Sequence, residues 1–156
     1  MKTAVVISDS HGNRRIFDKI DAQLKECDII FHLGDVVEDA YFLQNRYGKK
    51  VIYVLGNCDG DTSGDYRLVE IAGVKVFLTH GHTYRVKSTL DELYAETLAK
   101  GASVCLFGHT HEKCVEDFGN AKLINPGSVS MSAYPASYCY LVFVNGKCIE
   151  KLVDIN

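Results

Sequence analysis

The sequence predicts an α/β fold in which two packed β-sheets carry helices on their outer faces. Three observations support this. Short apolar runs alternate with amphipathic segments through the first third of the chain, the pattern of βαβ units around a parallel sheet. The second half is dominated by strand-like runs joined by short turns, as in a meander. No linker, repeat or low-complexity segment interrupts the 156 residues, which read as one domain over 1–156.

Residues 3–7 form a short apolar run suited to a buried strand. Residues 13–25 follow as a helix with Ile16, Phe17, Ile20 and Leu24 on one face and Asn13 placed to cap its start. A second strand covers 28–33. Val37, Ala40, Tyr41 and Tyr47 mark a second helix, and 50–55 make a third strand. Residues 66–71 and 74–79 flank Ala72-Gly73, a hairpin signal. Leu90, Leu93, Tyr94, Thr97 and Leu98 recur at helical spacing, so 88–100 is a helix that Gly101 closes. Strands then cover 103–107, 112–118, 121–124, 137–144 and 147–152, with Asn145-Gly146 as a tight hairpin turn.

Bulk properties narrow the function classes. Hydrophobic residues make up 47% and charged residues 24%, an ordinary balance for a soluble chain. The net charge of −3, without a basic run, does not indicate a nucleic-acid partner. The apolar N-terminal run ends at Ser8, too short for a signal peptide or a membrane span. None of the six cysteines forms a C-x-x-C pair, and Cys105 and Cys139 lie in apolar runs where a thiol acts as a small hydrophobe. Reduced thiols and a cytoplasmic location are the expectation, with no membrane partner and with homo-oligomerisation left open.

The candidate chemistry lies at the ends of the predicted strands. Five clusters occur in order: Asp9-Ser10-His11, Gly34-Asp35, Gly56-Asn57-Cys58-Asp59, His80-Gly81-His82 and Gly108-His109-Thr110-His111. The loop Asn125-Pro126-Gly127-Ser128 follows them. Ligands of open α/β sheets gather outside the carboxyl ends of strands, so residues distant in sequence can meet at one rim. A glycine in or next to each cluster allows tight turns and close backbone approach. Asp9 with His11, and His109 with His111, are spaced to put both side chains on one side of an extended segment. Asp9, His11, Asp35, Asn57, His80, His109 and His111 offer carboxylate, amide oxygen and imidazole, a donor set suited to Mn, Fe, Ni or Zn. No cysteine occupies the obvious ligand positions, which argues against a structural zinc site. Taken singly, an Asp-x-His or a Gly-Asp is usually a solvated turn; five clusters at successive strand ends are not. His32 is better read as a hydrogen-bonded strand residue. His82 either supports its neighbours from behind or faces substrate. Arg14 and Arg15 either add positive charge near the site or form a solvated helix turn, the second being the better reading.

In this order the motifs resemble the calcineurin-like metallophosphoesterases, and most closely their small, single-domain YfcE-like phosphodiesterase branch. The match runs from Asp9 to Ser128 and so covers most of the chain. The resemblance implies a four-layer α/β/β/α sandwich of two mixed β-sheets flanked by helices, with two divalent metal ions, Mn²⁺ foremost, at one edge. It implies Asp9, His11, Asp35 and His111 around one ion and Asp35, Asn57, His80 and His109 around the other, with Asp35 bridging. It places Asp35, Asn57, Cys58, Asp59 and His82 in the catalytic group. The implied reaction is hydrolysis of a phosphodiester by in-line attack of a hydroxide bridging two ions about 3.5–4 Å apart. Two such ions would leave roughly one net positive charge locally, attracting an anionic phosphate to an acidic chain.

Two positions depart from the family pattern. Many relatives carry a histidine in the third cluster, where it is thought to protonate the leaving group; here the residue is Cys58, a cysteine familiar from the YfcE-like branch. A thiol with a pKa near ~8.5 is a poorer acid, which favours diesters with good leaving groups. An arginine that some relatives carry after the Asn125–Ser128 loop is absent from Val129 to Tyr134. The competing reading is a non-catalytic interaction scaffold like the phosphoesterase-like subunit of retromer, which also lacks that histidine. A protein phosphatase is a weaker third reading for the same reason.

Overall fold

The computed structural model describes residues 1–48, 50–130 and 134–156. Strand β1, Lys2–Ile7, pairs in parallel with β2, Ile29–His32, and β2 with β3, Val51–Tyr53. Between them run the helices α1, Ile16–Lys19, α2, Asp21–Glu26, and α3, Glu38–Tyr47. The hairpin of β4, Tyr66–Ile71, and β5, Val74–Thr79, has the predicted bounds. Helix α4, Asp91–Ala99, leads into β6, Val104–Leu106; β7, Cys114–Asp117; and β8, Lys122–Asn125. A closing hairpin joins β9, Ser137–Val144, to β10, Lys147–Asp154. Its turn places Asn145 at φ 51° and Gly146 at φ 69°, the left-handed pair that a two-residue hairpin loop demands.

The strands form two mixed sheets, ordered β10-β9-β1-β2-β3 and β4-β5-β6-β8-β7. The second half is therefore not the simple meander its sequence suggests. Strands β5, β6 and β8 run parallel, and the β9–β10 hairpin returns to flank β1 in the first sheet. Alternation along β1 shows how the layers arise. Ala4 and Val6 point into the core between the sheets, while Val5 and Ile7 join Phe17, Leu24 and Leu43 beneath the helices α1 to α3. On the outer face of the second sheet, Phe77, Cys105 and Leu123 pack with Leu93 of α4. Helix layer, sheet, sheet and helix layer are the expected α/β/β/α order.

The predicted helix over 13–25 is two pieces. Residues Ile16 to Asp18 wind by i→i+3 bonds, tighter than an α-helix, and Ile20 breaks the helix at φ −118°, ψ 20°. The reset keeps Ile16, Phe17, Ile20 and Leu24 in one core. Asn13 gives its carbonyl to Ile16 N–H and no side-chain cap. Among the described residues no two cysteines are joined in a disulfide, and no helix is long and apolar enough to cross a membrane.

Candidate metal centre

The five cluster loops meet at one edge of the two sheets and are bonded to each other. Asp9 N–H donates to Gly34 O at 3.1 Å, and Gly108 N–H to His80 O at 3.0 Å. His109 N–H donates to Asp9 Oδ2 at 3.1 Å, and Ser128 Oγ donates to Asp9 O at 2.8 Å. Asn125 Nδ2 donates to Gly108 O and Thr110 Oγ1 at 3.0 and 2.9 Å, so the fourth, fifth and last loops lean on the first. Two glycines make this closeness possible. A Cβ on Gly56 would meet the Asp35 carboxylate, and one on Gly108 would meet Ser8 Oγ and lie 2.8 Å from Asp9 Oδ2.

Ligand-type atoms of Asp9, His11, Asp35 and His111 all lie within 4.8 Å of one another. His11 Nε2 is 4.0 Å from Asp9 Oδ1 and 3.8 Å from Asp35 Oδ2. His80 Nε2 is 3.8 and 3.4 Å from the same two oxygens. The His109 ring centroid lies 5.1 Å from that of His80. Asn57 stands on the exposed single turn Asn57–Asp59, with Nδ2 3.8 Å from Cys58 Sγ. Thus Asp9, His11, Asp35, His80, His109 and His111 converge, and Asn57 borders them.

The donor atoms are left bare in a way that fits a cation. His80 donates Nδ1–H to Leu33 O at 2.7 Å, which leaves Nε2 a lone pair. That atom and Asp9 Oδ1 are buried, and among the described residues neither has a hydrogen-bond partner. His111 Nε2 approaches Asp9 Oδ1 to 3.1 Å without the alignment of a hydrogen bond. Burial pushes the Asp9 carboxyl up, but contact with His111, the positive charge that a protonated His80 would bring and the Ser8 hydroxyl outweigh it and hold it at about 2. Burial, with His80 and Lys87, lowers His109 to about 4; the Asp9 contact raises His111. The Asp9 carboxylate is thus ionised and His109 neutral, the states that bind metal.

The backbone at the site is strained. Asp9, His11, Asp35, His109 and His111 all adopt left-handed φ, between 47° and 69°. Such residues cost about 1–3 kcal/mol each and persist only where surroundings enforce them. Val36 is the extreme case, a β-branched residue at φ 68° with no glycine's freedom. Val36→Gly should therefore raise the melting temperature by about 2–3 °C, the net of roughly 1 kcal/mol after the unfolded-state entropy of glycine. A lower melting temperature would show that the side chain's packing outweighs the strain.

Several residues take positions that the sequence did not reveal. Asp59 engages its carboxylate with backbone amides: Oδ2 accepts Asp35 N–H and Gly56 N–H at 2.9 and 2.8 Å, and Oδ1 accepts Val37 N–H at 2.8 Å. It positions Asp35 and the third loop. Cys58 is exposed, and its N–H donates to Asp35 Oδ1 at 2.9 Å. His82 donates Nε2–H to Asp61 O at 3.1 Å, leaving Nδ1 buried and unpartnered, with its ring 5.5 Å from His80 and 6.1 Å from His109. A buried relay braces the first loop. Gly34 N–H donates to His32 Nδ1, so His32 donates Nε2–H to Ser10 Oγ at 2.9 Å, and Ser10 donates to Asp39 Oδ2 at 2.6 Å. Burial lowers His32 to about 4, so it is neutral. Arg14 donates Nε–H to Asp39 Oδ1 at 2.8 Å and lies 4.8 Å over the Phe42 ring while its side chain stays 46% exposed, a largely solvated turn residue that also braces Asp39. Asp39 carried no signal in the sequence, where an acidic residue in a first helical turn reads as a dipole partner. Residues 131–133, part of the segment without the arginine, lie outside the described residues.

Fold and site together define a metallophosphoesterase-type chain. It matches the calcineurin-like phosphoesterase superfamily domain over residues 1–146 and belongs to that family. It is 32% identical over 158 residues to the probable metallophosphoesterase YsnB of Bacillus subtilis, covering 96% of this chain and 89% of that one. To the phosphodiesterase YfcE of Escherichia coli it is 33% identical over 130 residues, 72% of this chain and 67% of that one. The Zn²⁺ complex of Vps29 from Entamoeba histolytica shares the fold, with TM-score 0.77 at 19% identity over 99% of both chains.

Proposed function

We propose that the chain, acting as one domain over 1–156, is a dinuclear metal-dependent phosphodiesterase. Asp9, His11, Asp35 and His111 hold one divalent ion, and Asp35, Asn57, His80 and His109 hold the second. The observation that supports this most directly is the pair of orphaned atoms, Asp9 Oδ1 and His80 Nε2, 3.8 Å apart. An ionised oxygen facing a nitrogen lone pair in a buried site is unfavourable unless a cation serves both. Ions bound there supply Lewis-acid charge and an acidified water for attack on phosphorus. The protein's part is orientation: Leu33 O fixes the His80 tautomer, Asp59 fixes Asp35, and the relay through Asp39 fixes the loop of His11. Burial, then the Asp35 charge, pushes the Cys58 thiol up, so it carries a proton at neutral pH.

Chelation tests the reading. Turnover of bis(p-nitrophenyl) phosphate should fall to background after EDTA and return with Mn²⁺, with Ni²⁺, Fe²⁺ and Zn²⁺ as the other candidate ions. Full activity after exhaustive chelation would place the chemistry elsewhere. The scaffold reading rests on the Vps29-like fold and on Cys58 in the histidine's place. It predicts metal binding with no turnover of any diester, whereas seven intact ligand residues favour the enzyme.

A further inference from the structure

Each sheet ends in two edge strands, β10 and β3 in the first, β4 and β7 in the second. An edge strand offers main-chain N–H and C=O groups to another chain, and proteins guard such edges with short length or with charge. Strands β3 and β7 are guarded by length, with three and four residues. Strand β10 has eight residues and leaves Ile149 57% exposed, but charge guards it. Two identical antiparallel strands related by a two-fold axis keep their faces, so opposed residues differ by an even number of places. Every such register that pairs more than half of β10 opposes like charges. Centred on Ile149, it sets Lys147 against Lys151 of the second copy. Centred on Glu150 or Lys151, it sets that residue against itself, and centred on Leu152 it sets Glu150 against Asp154.

Strand β4 lacks both guards. It has six residues and no proline, and among the described residues its main chain bonds to no strand but β5. Tyr66, Leu68 and Glu70 share the outer face, opposite Thr79, Phe77 and Lys75 of β5. Tyr66 is 46% and Leu68 39% exposed. Lys100, which follows α4, holds Nζ 4.0 Å over the Tyr66 ring and 3.0 Å from Glu96.

We propose that β4 pairs antiparallel with β4 of a second copy of this chain, about a two-fold axis at Leu68, joining the two second sheets edge to edge. In that register Leu68 faces Leu68, Arg67 faces Val69, and Glu70 of each copy faces Tyr66 of the other. No like charges are opposed. Opposed Cβ atoms of such a pair lie ~4.5–5.5 Å apart, so Glu70 comes beside the Lys100 ammonium that lies on the Tyr66 ring. The axis makes this ion pair twice, around a central apolar pair. Centring on Val69 instead would set Leu68 against Glu70 and lose both. Tyr66 lies beside Thr79, which leads into His80, so the two metal edges fall at opposite ends of the joined sheet. The interface is therefore independent of the reaction at either site.

Sedimentation velocity tests this on the full chain. The protein should pass from monomer to dimer between about 1 and 200 µM, the range of a small, non-obligate interface. Amide exchange in β4 should slow as the concentration rises through that range. Leu68→Lys, at an exposed position, opposes two ammonium groups on the axis and should weaken the dimer by about 100-fold with little change in melting temperature. Ile149→Lys, on the guarded edge, should leave the dimer as it was. Glu70→Lys should weaken the dimer about 10-fold, and adding Lys100→Glu should restore it, a recovery that general destabilisation does not give. That pair of variants decides the matter should Leu68→Lys fail to fold. A monomer throughout the range overturns the proposal. So does a dimer that folded Leu68→Lys protein keeps, one that Ile149→Lys abolishes, or a Glu70→Lys protein that loses nothing or is not rescued by Lys100→Glu.

Discussion

Asp35→Asn should abolish turnover and the binding of both ions together, while raising the stability of the metal-free chain. Asp35 Oδ2 lies 3.4 Å from His80 Nε2 and 3.8 Å from His11 Nε2, and Oδ1 accepts the Cys58 amide. Under the proposed assignment it touches both ions, so its loss should exceed the roughly 10–100-fold fall in metal affinity typical of residues behind the ligands. The isosteric amide keeps an acceptor for Cys58 N–H. Its NH₂ can donate to the orphaned His80 Nε2, and it removes one of two neighbouring carboxylates. Satisfying that atom is worth about 1 kcal/mol. The metal-free variant should thus melt higher than its parent but gain nothing from added Mn²⁺. Metal content by elemental analysis and melting curves with and without Mn²⁺ separate this outcome from misfolding. Two tightly bound ions with near-normal turnover would remove Asp35 from the bridging position.

The sequence made the inward-facing side chains of the site legible, and little of what holds them. Asp9, His11, Asp35, His80, His109 and His111 could be named because each ends a strand, and strand ends are where α/β sheets gather ligands. Their supports were hidden because support here is tertiary. Asp59 stands beside Cys58 in the chain, which suggested a catalytic partner, yet its oxygens accept two amides of the distant second loop and one of its own. Asp39 and Arg14 meet only once α1 and α3 pack on the same sheet face. The left-handed backbone at five non-glycine residues has no local signature at all; it is imposed by the neighbouring loops. At the level of fold, periodicity found the β9–β10 hairpin to within two residues but could not say that it would return to β1 in the first sheet. Register between distant strands is decided by which face must be buried, and apolar patterning is similar in both sheets.

Cys58→His should raise the hydrolysis of alkyl esters and monoesters while leaving nitrophenyl diesters almost unchanged. A positioned general acid is worth about 10²–10⁴-fold, and only where the leaving oxygen needs a proton. Nitrophenolate departs without one. The position suits the role, since Cys58 is exposed and its backbone is tied to Asp35. The new imidazole would, however, lack a partner to aim it. Asp59, the adjacent carboxylate, already accepts three backbone amides and cannot be spared without loosening Asp35. The gain should therefore fall at or below the lower end of that range, about 10–100-fold on alkyl leaving groups. Cys58→Ala should keep the nitrophenyl diesterase largely intact, because a protonated thiol contributes little to a step that needs no acid. The opposing account makes Cys58 a metal ligand, which requires the thiolate. The metal-free site works against that form, since the partial desolvation of this exposed thiol and the Asp35 charge both favour the protonated form. A Cys58→Ala protein that loses both metal and nitrophenyl-diester turnover would decide for the thiolate, and the third cluster would then bind its ion through sulfur.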